Sequence, residues 1–161
     1  MVSIIDYVPI KTSRLLLKQT NRDDIDLIIK MDKQEDTQLF LGGIKDKTRE
    51  ERIEFLDKKN NSNRSLTVWL DNVPIGFVEL IILGNVAEVS YIFDSDYTGN
   101  GYCTEVIAKF VEIAFDDIKL DKLYAFCKEE NIASQKVLLK NNFIKKDREK
   151  EYLYYELERL V

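Results

Sequence analysis

Histidine is absent from this 161-residue sequence, and cysteine and proline are rare, with two residues of each. The missing imidazole excludes Ser-His-Asp and Cys-His catalysis and removes the commonest protein ligand for metals. Two cysteines are too few for a disulfide framework or a four-thiolate zinc site, so we expect no metal cofactor. Six glycines and two prolines leave little material for flexible linkers.

An excess of basic charge is also lacking, because 24 Lys and Arg face 29 Asp and Glu, which gives a net charge of −5. We therefore expect no nucleic-acid partner. The longest apolar stretch, residues 73–83, is interrupted by Pro74, Gly76 and Glu79 and is too short to span a bilayer. The first residues do not show the basic and apolar pattern of a signal peptide. These absences predict a protein of the reducing cytoplasm with no membrane partner.

The composition, 45% apolar and 33% charged, is typical of a globular protein. No internal repeat or domain boundary is visible, so we expect a single domain over residues 1–161. Hairpin strands in the first half, and alternating strands and helices in the second, predict an α/β (α+β) fold with a mixed sheet covered by helices. The predicted helices start at Asn21, Thr48, the turn before Tyr102, and Asn131.

A two-residue turn at Gly84-Asn85 predicts a β-hairpin in the middle of the chain. In the register of such a hairpin, Glu79 faces Ser90 and Ile81 faces Glu88. Glu79 and Glu88 would then lie diagonally on one face of the sheet. A carboxylate in the middle of a strand with apolar neighbours is a candidate general base, although both glutamates could equally be surface residues.

A glycine-containing turn, residues 98–104, joins the second hairpin strand to the strongest amphipathic helix pattern in the sequence. Gly99 and Gly101 would let the backbone approach an anion, and a helix N-terminus attracts phosphate. The turn matches neither the dinucleotide fingerprint nor a P-loop. Taken alone, it could equally be an ordinary Asn-Gly turn.

Together with residues 131–143, this turn resembles motifs A and B of the GNAT superfamily of acetyl-CoA-dependent N-acetyltransferases. The family's phosphate loop maps onto residues 98–103, and its later helix maps onto Asn131, Ser134 and Asn142-Phe143. The strand Thr12-Ser13-Arg14-Leu15-Leu16-Leu17 is similar to the start of the branch that acetylates the N-termini of ribosomal proteins. The order of elements matches over nearly the whole chain.

The resemblance implies a three-layer fold with a mixed, mostly antiparallel sheet of about seven strands and helices on both faces. It implies acetyl transfer from acetyl-CoA, the cosubstrate, to a primary amine by direct attack in a ternary complex. The amine would belong to a small molecule or to a protein N-terminus. The implied cofactor-binding residues are Ile92, Phe93, Asp94, Thr98, Gly99, Asn100, Gly101, Tyr102, Cys103, Thr104, Asn131 and Ser134.

The sequence departs from the family pattern at four positions. Thr98 replaces an Arg or Gln of the phosphate loop, so one contact near the pyrophosphate is expected to be missing. Cys103 replaces a small residue and is expected to pack rather than react. Asn142 replaces a Gly and can adopt its left-handed conformation. Leu138 stands where many relatives have a catalytic Tyr.

The expected chemistry needs an acceptor for the thioester oxygen, a base and an acid. We expect backbone N–H groups at the end of the strand Val86–Asp94 to bind the oxygen, with Ile92 as the first candidate. Glu88, where many members of the family have a Glu, is the expected base, with Glu79 or a water relay as alternatives. Ser134 is the expected general acid, although a hydroxyl at a helix start could serve only as a local hydrogen-bonding group.

Residues 33–47 and the C-terminal hairpin are expected to build the acceptor site, and the acidic charge suggests a cationic amine. An alternative hypothesis is a catalytically silent CoA-binding module that acts in regulation or in interaction with other proteins. The loss of the Tyr at Leu138 and the substitution at Thr98 favour that alternative. A homodimer is the default expectation for the oligomeric state.

Overall fold

The structure, a computed structural model, describes residues 2–160 and is organised around one sheet of eight strands. The strand order is β1-β2-β3-β4-β5-β6-β8-β7. The strands are β1 (Ile10–Lys11), β2 (Leu16–Gln19), β3 (Ser65–Leu70), β4 (Val73–Leu83), β5 (Val86–Phe93), β6 (Lys122–Lys128), β7 (Ile144–Glu149) and β8 (Tyr152–Glu158).

Within the described part of the chain, five α-helices connect and cover these strands. They are α1 (Ile25–Asp32), α2 (Glu35–Gln38), α3 (Arg49–Ser62), α4 (Tyr102–Glu112) and α5 (Ile132–Lys140). A π-helical turn, Ile113–Asp117, extends α4. Among the helices of residues 2–160, none has the length and apolar character needed to cross a membrane.

The sheet is antiparallel at every pairing except that of β5 with β6, which is parallel. The predicted mixed and mostly antiparallel sheet is therefore confirmed, with eight strands instead of about seven. The additional strand is β1, which pairs two residues with β2. Two residues are too few to produce an alternating pattern in a sequence.

The central hairpin, β4–β5, has the predicted register. Leu83 pairs with Val86, Ile81 with Glu88, and Glu79 with Ser90. Gly84 adopts φ 66°, the left-handed conformation that a tight turn of this kind requires. The side chains of Glu79 and Glu88 therefore lie on the same face of the sheet, because Glu79 of β4 pairs with Ser90, two residues from Glu88 along β5.

Hydrophobic side chains are buried on both faces of the sheet, which gives three layers. The larger cluster includes Val106, Ile107 and Phe110 of α4 and Leu138 of α5, which pack on one face. A smaller cluster packs α1 and α3 on the other face, with Leu56 and Phe77 among its members. The amphipathic pattern seen in the sequence of α4 thus corresponds to its buried side.

Side-chain caps fix the starts of three helical segments where the sequence predicts them. The side chains of Asn21 and Thr48 each form a capping box, before the 3₁₀ turn that leads into α1 and before α3. Asn131 accepts the N–H of Ser134 at 3.1 Å and caps α5. Helix α1 is tied to α3 by the buried ion pair of Asp32 with Arg52.

Gly76 of β4 lies opposite Phe93 at the end of β5, where the two strands approach too closely for a side chain. A Cβ on Gly76 would lie 2.8 Å from the carbonyl oxygen of Ile92 and 2.8 Å from the Phe93 ring. We expect Gly76→Ala to lower the free energy of unfolding by about 1–3 kcal/mol, because β5 must shift. Urea denaturation measures this loss. Val73→Ala, at an exposed position of β4, is the control, and an equally small effect of both substitutions would contradict the close approach.

Candidate active site

Strands β5 and β6 separate soon after they begin. Their parallel pairing covers only Val86–Glu88 and Lys122–Tyr124. Beyond this point the two strands continue without further pairing, and within residues 2–160 no other strand lies on that side of β5. The separation opens a cleft in the middle of the sheet, and the start of α5 borders it.

The main chain of β5 presents unpaired N–H groups to this cleft. Asp94 donates its N–H to the carbonyl of Ile75 at 2.8 Å, on the β4 side. Because antiparallel hydrogen bonds alternate, the N–H of Ile92 also points towards β4, while those of Tyr91 and Phe93 point towards the cleft. The N–H of Ile92, expected to bind the thioester oxygen, is thus directed away from the cleft, and Tyr91 and Phe93 replace it as candidates.

The glycine turn ends at the start of α4, whose first N–H groups are unpaired. Gly101 precedes the helix without any side-chain cap. The first helical hydrogen bond runs from the N–H of Glu105 to the carbonyl of Gly101, so the three N–H groups of residues 102–104 precede it. This helix start carries the partial positive charge and the free donors that bind phosphate.

Both glycines of the turn adopt left-handed backbone conformations, with φ 82° at Gly99 and 80° at Gly101. No atom lies within 4 Å of a Cβ built on Gly99, so the turn is open on that side. Thr98 donates its hydroxyl to the carbonyl of Ser95 at 3.0 Å, and Asn100 donates its amide to the carbonyl of Tyr97 at 3.2 Å. These side chains therefore hold the turn in shape.

Asp94, expected among the cofactor-binding residues, is buried and fully engaged. Its carboxylate accepts Lys30 Nζ at 2.8 Å, Gln34 Nε2 at 2.8 Å and the N–H of Asp96 at 2.9 Å. Burial opposes ionisation, but these bonds hold the pKa of Asp94 below its ordinary value. The carboxylate thus anchors α1 to the segment that follows β5, and both of its oxygen atoms are engaged.

Two hydroxyl groups meet at the side of the cleft formed by α5. Tyr91 Oη lies 2.8 Å from Ser134 Oγ. Burial, above all, raises the pKa of Tyr91 and keeps its hydroxyl protonated. Ser134 belongs to the first turn of α5, which Asn131 caps, and its contact with Tyr91 places it beside β5. Leu138 is completely buried and faces the core.

Neither cysteine has the environment of a nucleophile. Burial raises the pKa of both Cys103 and Cys127, which keeps the thiols protonated. Cys127 lies in the larger core cluster, and Cys103 packs against that cluster. This arrangement supports packing as the role of Cys103.

Glu88 is half-buried and has no ion pair within residues 2–160. Burial raises its pKa, the charge of Glu79 raises it further, and Arg64 partly lowers it. Glu79, by contrast, accepts Lys59 Nζ at 2.6 Å and Arg64 Nε at 2.9 Å. Of the two glutamates, Glu88 therefore has the free carboxylate and the elevated pKa that a general base needs.

A cavity of about 380 Å³ lies between the sheet and the α1–α3 layer, next to Tyr91 and Ile92. Gln38, Leu41 and Lys45 line it, which places part of the predicted acceptor segment, residues 33–47, at its wall. The charged residues around the cavity are Asp32, Lys45, Arg52, Lys59 and Glu79. Three cations and two carboxylates do not make the acidic pocket that the net charge suggested.

The C-terminal hairpin, β7–β8, contributes nothing to the lining of this cavity. Its residues Glu149, Lys150 and Tyr152 line, with Phe126, a separate open depression of about 330 Å³. Tyr124, Phe126 and Tyr154 form an aromatic cluster on β6 and β8, with ring centroids 5.3–6.0 Å apart. No group of acidic or cysteine side chains within residues 2–160 is arranged to hold a metal ion.

Comparison with known proteins identifies the family. Residues 14–144 match the acetyltransferase (GNAT) domain. The chain belongs to the GNAT acetyltransferases. The family predicted from the glycine turn and the Asn131 helix is thereby confirmed, and the match covers both segments.

Two curated relatives of this GNAT chain come from Bacillus subtilis (strain 168). The uncharacterized N-acetyltransferase YjdG is 27% identical over 105 residues, 60% of this chain and 62% of the relative. The uncharacterized N-acetyltransferase YoaA is 34% identical over 80 residues, 50% of this chain and 45% of the relative. The chain thus spans less than two thirds of the length of each.

Solved structures share the fold of this GNAT chain at low identity. A GNAT-family acetyltransferase from Bacillus anthracis has a TM-score of 0.82 at 22% identity, covering 92% of this chain and 97% of the other. A putative ribosomal-protein-serine acetyltransferase from Vibrio cholerae has a TM-score of 0.78 at 18% identity, and the match covers 96% of this chain and 98% of the other. A spermidine N-acetyltransferase from Vibrio cholerae, in complex with CoA and spermine, has a TM-score of 0.75 at 18% identity, and the match covers 91% of this chain and 96% of the other.

Sequence reasoning missed the orientation of Tyr91, whose N–H faces the cleft and whose hydroxyl contacts Ser134. The alternation of hydrogen bonds in the predicted hairpin contained this information, because the register was already fixed by Gly84-Asn85. It also missed the contact of Arg14 with the glycine turn, which joins residues 86 positions apart. No local pattern in a sequence reports such a contact.

The elevated pKa of Glu88 predicts a pH-dependent gain in stability for Glu88→Gln. A carboxyl with a raised pKa disfavours the folded state once it ionises, so wild type loses stability relative to the variant as pH rises through that pKa. We expect the melting temperature of Glu88→Gln to exceed that of wild type at pH 8 and to equal it at pH 4. Glu54→Gln, on the exposed surface of α3, is the control. A lower melting temperature of Glu88→Gln at pH 8 would contradict the assigned environment.

Proposed function

We propose that this chain is an N-acetyltransferase that transfers an acetyl group from acetyl-CoA to a primary amine by direct attack in a ternary complex. The observation that carries the proposal is the cleft between β5 and β6, with free β5 N–H groups beside the uncapped start of α4. Membership of the GNAT family supports the same activity. Acetyl-CoA, when bound, would supply the activated thioester.

The residues at the cleft fit such a cosubstrate. The glycine turn and residues 102–104 offer N–H donors at a helix start to a diphosphate, and Gly99 leaves the approach open. The N–H groups of Tyr91 and Phe93 lie along the path from the turn into the sheet. They offer hydrogen bonds to the pantetheine arm and to the thioester oxygen, which would polarise the carbonyl.

Glu88 accepts the proton that the amine loses as its nitrogen bonds to the acetyl carbon, either directly or through water. Its free carboxylate and raised pKa suit this task at neutral pH, whereas Glu79 is held by Lys59 and Arg64. A neutral amine is required for attack, so the base must act before or during formation of the new bond.

Ser134 donates a hydrogen bond to the sulfur that leaves when the C–S bond breaks. The thiolate takes up a proton through this hydroxyl, which regains its own proton from solvent. The hydroxyl of Tyr91, 2.8 Å from Ser134 Oγ, fixes the position of this donor. Many members of the family have a catalytic Tyr at the position of Leu138, which is buried in the core here. The Tyr91–Ser134 pair supplies hydroxyl groups on this side of the cleft instead. Catalysis therefore does not require a tyrosine at position 138.

The acceptor amine approaches from the cavity next to Tyr91 and Ile92, which α1, α2 and α3 enclose. The named neighbours with this fold include enzymes for a ribosomal-protein serine and for spermidine, both of which offer primary amines. The sequence from Thr12 to Leu17, which leads into β2, supports the ribosomal-protein branch. We therefore propose a primary amine of a small molecule or a protein N-terminus as the acceptor class.

Acetyl-CoA is expected to raise the melting temperature of the protein, because a ligand of the native state stabilises it. At 100 times the dissociation constant, the gain in free energy of unfolding is about 2.7 kcal/mol. Differential scanning fluorimetry measures the shift, with acetate and free adenosine as controls.

Thiol release over a panel of primary amines then tests turnover. Binding without turnover for any amine would favour a silent CoA-binding module instead.

Glu88→Gln is expected to reduce kcat/KM by about a hundredfold near neutral pH, since general bases contribute on this scale. The loss should shrink as pH rises, because the free amine then forms without the base. The dissociation constant for acetyl-CoA should stay unchanged. Glu79→Gln serves as the matched control on the same face of the sheet. An unchanged pH–rate profile in Glu88→Gln would remove Glu88 from the mechanism.

A further inference from the structure

Arg14, in the connection between β1 and β2, reaches the glycine turn at the start of α4. Its Nη1 donates to the carbonyl of Asn100 at 3.0 Å. Its Nη2 lies 3.5 Å from the position of a Cβ on Gly101, and the guanidinium carbon lies 4.5 Å from the centre of the Tyr102 ring. A cation from a distant part of the sequence is thus placed against the turn.

Glu105 holds the guanidinium in this position. Arg14 donates to Glu105 from Nε at 2.7 Å and from its backbone N–H at 2.9 Å, and Thr12 donates its hydroxyl to the same carboxylate. Partial burial opposes ionisation of Glu105, but these bonds keep its pKa below the ordinary value. The carboxylate therefore stays charged and fixes one edge of the guanidinium.

The other edge of the guanidinium remains available. An arginine has five N–H donors, and only Nε and Nη1 have acceptors among residues 2–160. The side chain is 45% exposed, so its Nη2 group can reach a ligand without further movement of the chain. A planar group with two fixed contacts and a free edge is preorganised for a phosphate.

The turn itself supplies no cationic side chain. Residues 98–104 contain no Lys or Arg, and the hydroxyl of Thr98 is used by the carbonyl of Ser95. The uncapped N–H groups of α4 can bind a phosphate, but they carry only a partial charge. A full positive charge beside them would compensate the anion more completely.

We propose that Arg14 binds a phosphate group of acetyl-CoA and so supplies, from the β1–β2 connection, the cation that the glycine turn lacks. The inference rests on the proposed function, because it assigns a residue to the same cosubstrate site. The two candidate groups are the diphosphate and the 3′-phosphate of CoA, and they share the same chemistry.

Isothermal titration calorimetry of acetyl-CoA against wild type, Arg14→Gln and Arg14→Lys tests this assignment. A lost hydrogen bond to a charged group corresponds to about a tenfold change or more in the dissociation constant, which we expect for Arg14→Gln. Arg14→Lys keeps the charge and should retain part of the affinity. Raising NaCl should weaken binding less in Arg14→Gln than in wild type, since one charge contact is missing.

Arg22→Gln is the matched control, because Arg22 forms an ion pair of the same length with Asp57 away from the turn. Its affinity for acetyl-CoA should equal that of wild type. Repeating the titrations with acetylated 3′-dephospho-CoA distinguishes the two phosphates. If Arg14→Gln still binds this analogue more weakly than wild type does, Arg14 contacts the diphosphate. If the two proteins bind the analogue equally well, Arg14 contacts the 3′-phosphate.

Equal affinities of wild type and Arg14→Gln would overturn the proposal while leaving the proposed function intact. An equal loss of affinity for acetyl-CoA in Arg14→Gln and Arg14→Lys, with the same salt dependence of binding as in wild type, would also overturn the proposal. That result would show that Arg14 only shapes the turn through Asn100 and Glu105. Failure of wild type to bind acetyl-CoA would contradict the proposed function itself, which separates the two claims.

Discussion

The early end of the parallel pairing between β5 and β6 is the constraint on which the site depends. After Glu88 and Tyr124 the ladder stops, so the N–H groups of Tyr91 and Phe93, which face away from β4, have no strand to bind. Buried backbone donors without partners are costly, so such a gap persists where water or a ligand satisfies them. The β4–β5 hairpin holds β5 rigidly on its other side, and the start of α5 borders the opening. The cleft is therefore formed by the strand pairing of the backbone, and the side chains at its border do not create it.

The absence of histidine is compatible with the proposed reaction, because backbone N–H groups and a carboxylate can serve it. Backbone N–H groups need no change of protonation, and burial raises the pKa of the half-buried Glu88 above its ordinary value. The two glutamates on one face illustrate how environment separates roles. Glu79 is ion-paired with Lys59 and Arg64 and serves as part of the structure, while Glu88 keeps a free carboxylate. Asp94 shows a third outcome, in which a buried carboxylate ties α1 to the end of β5 through Lys30.

Much of the fold was predictable from local signals in the sequence. The Gly84-Asn85 turn determined the hairpin register, and Asn21, Thr48 and Asn131 marked helix starts, because each of these signals acts within a few residues. The glycine turn before α4 could also be located, but the surroundings of two predicted site residues could not. Hydrogen-bond alternation directs the N–H of Ile92 towards β4, and the carboxylate of Asp94 is bonded to Lys30 and Gln34. The contact of Arg14 with Asn100 joins distant segments, and only the packed structure brings them together.

We propose that acetyl-CoA lies in the β5–β6 cleft and on the start of α4. Amide hydrogen exchange resolved by residue, with and without acetyl-CoA, tests this placement most directly. We predict slower exchange on binding at Tyr91, Phe93 and residues 102–104, whose N–H groups are free. The amide of Ile92, bonded towards β4, should be protected in both states and serves as an internal reference. Binding that leaves the rates at Tyr91, Phe93 and residues 102–104 unchanged would contradict this placement of acetyl-CoA.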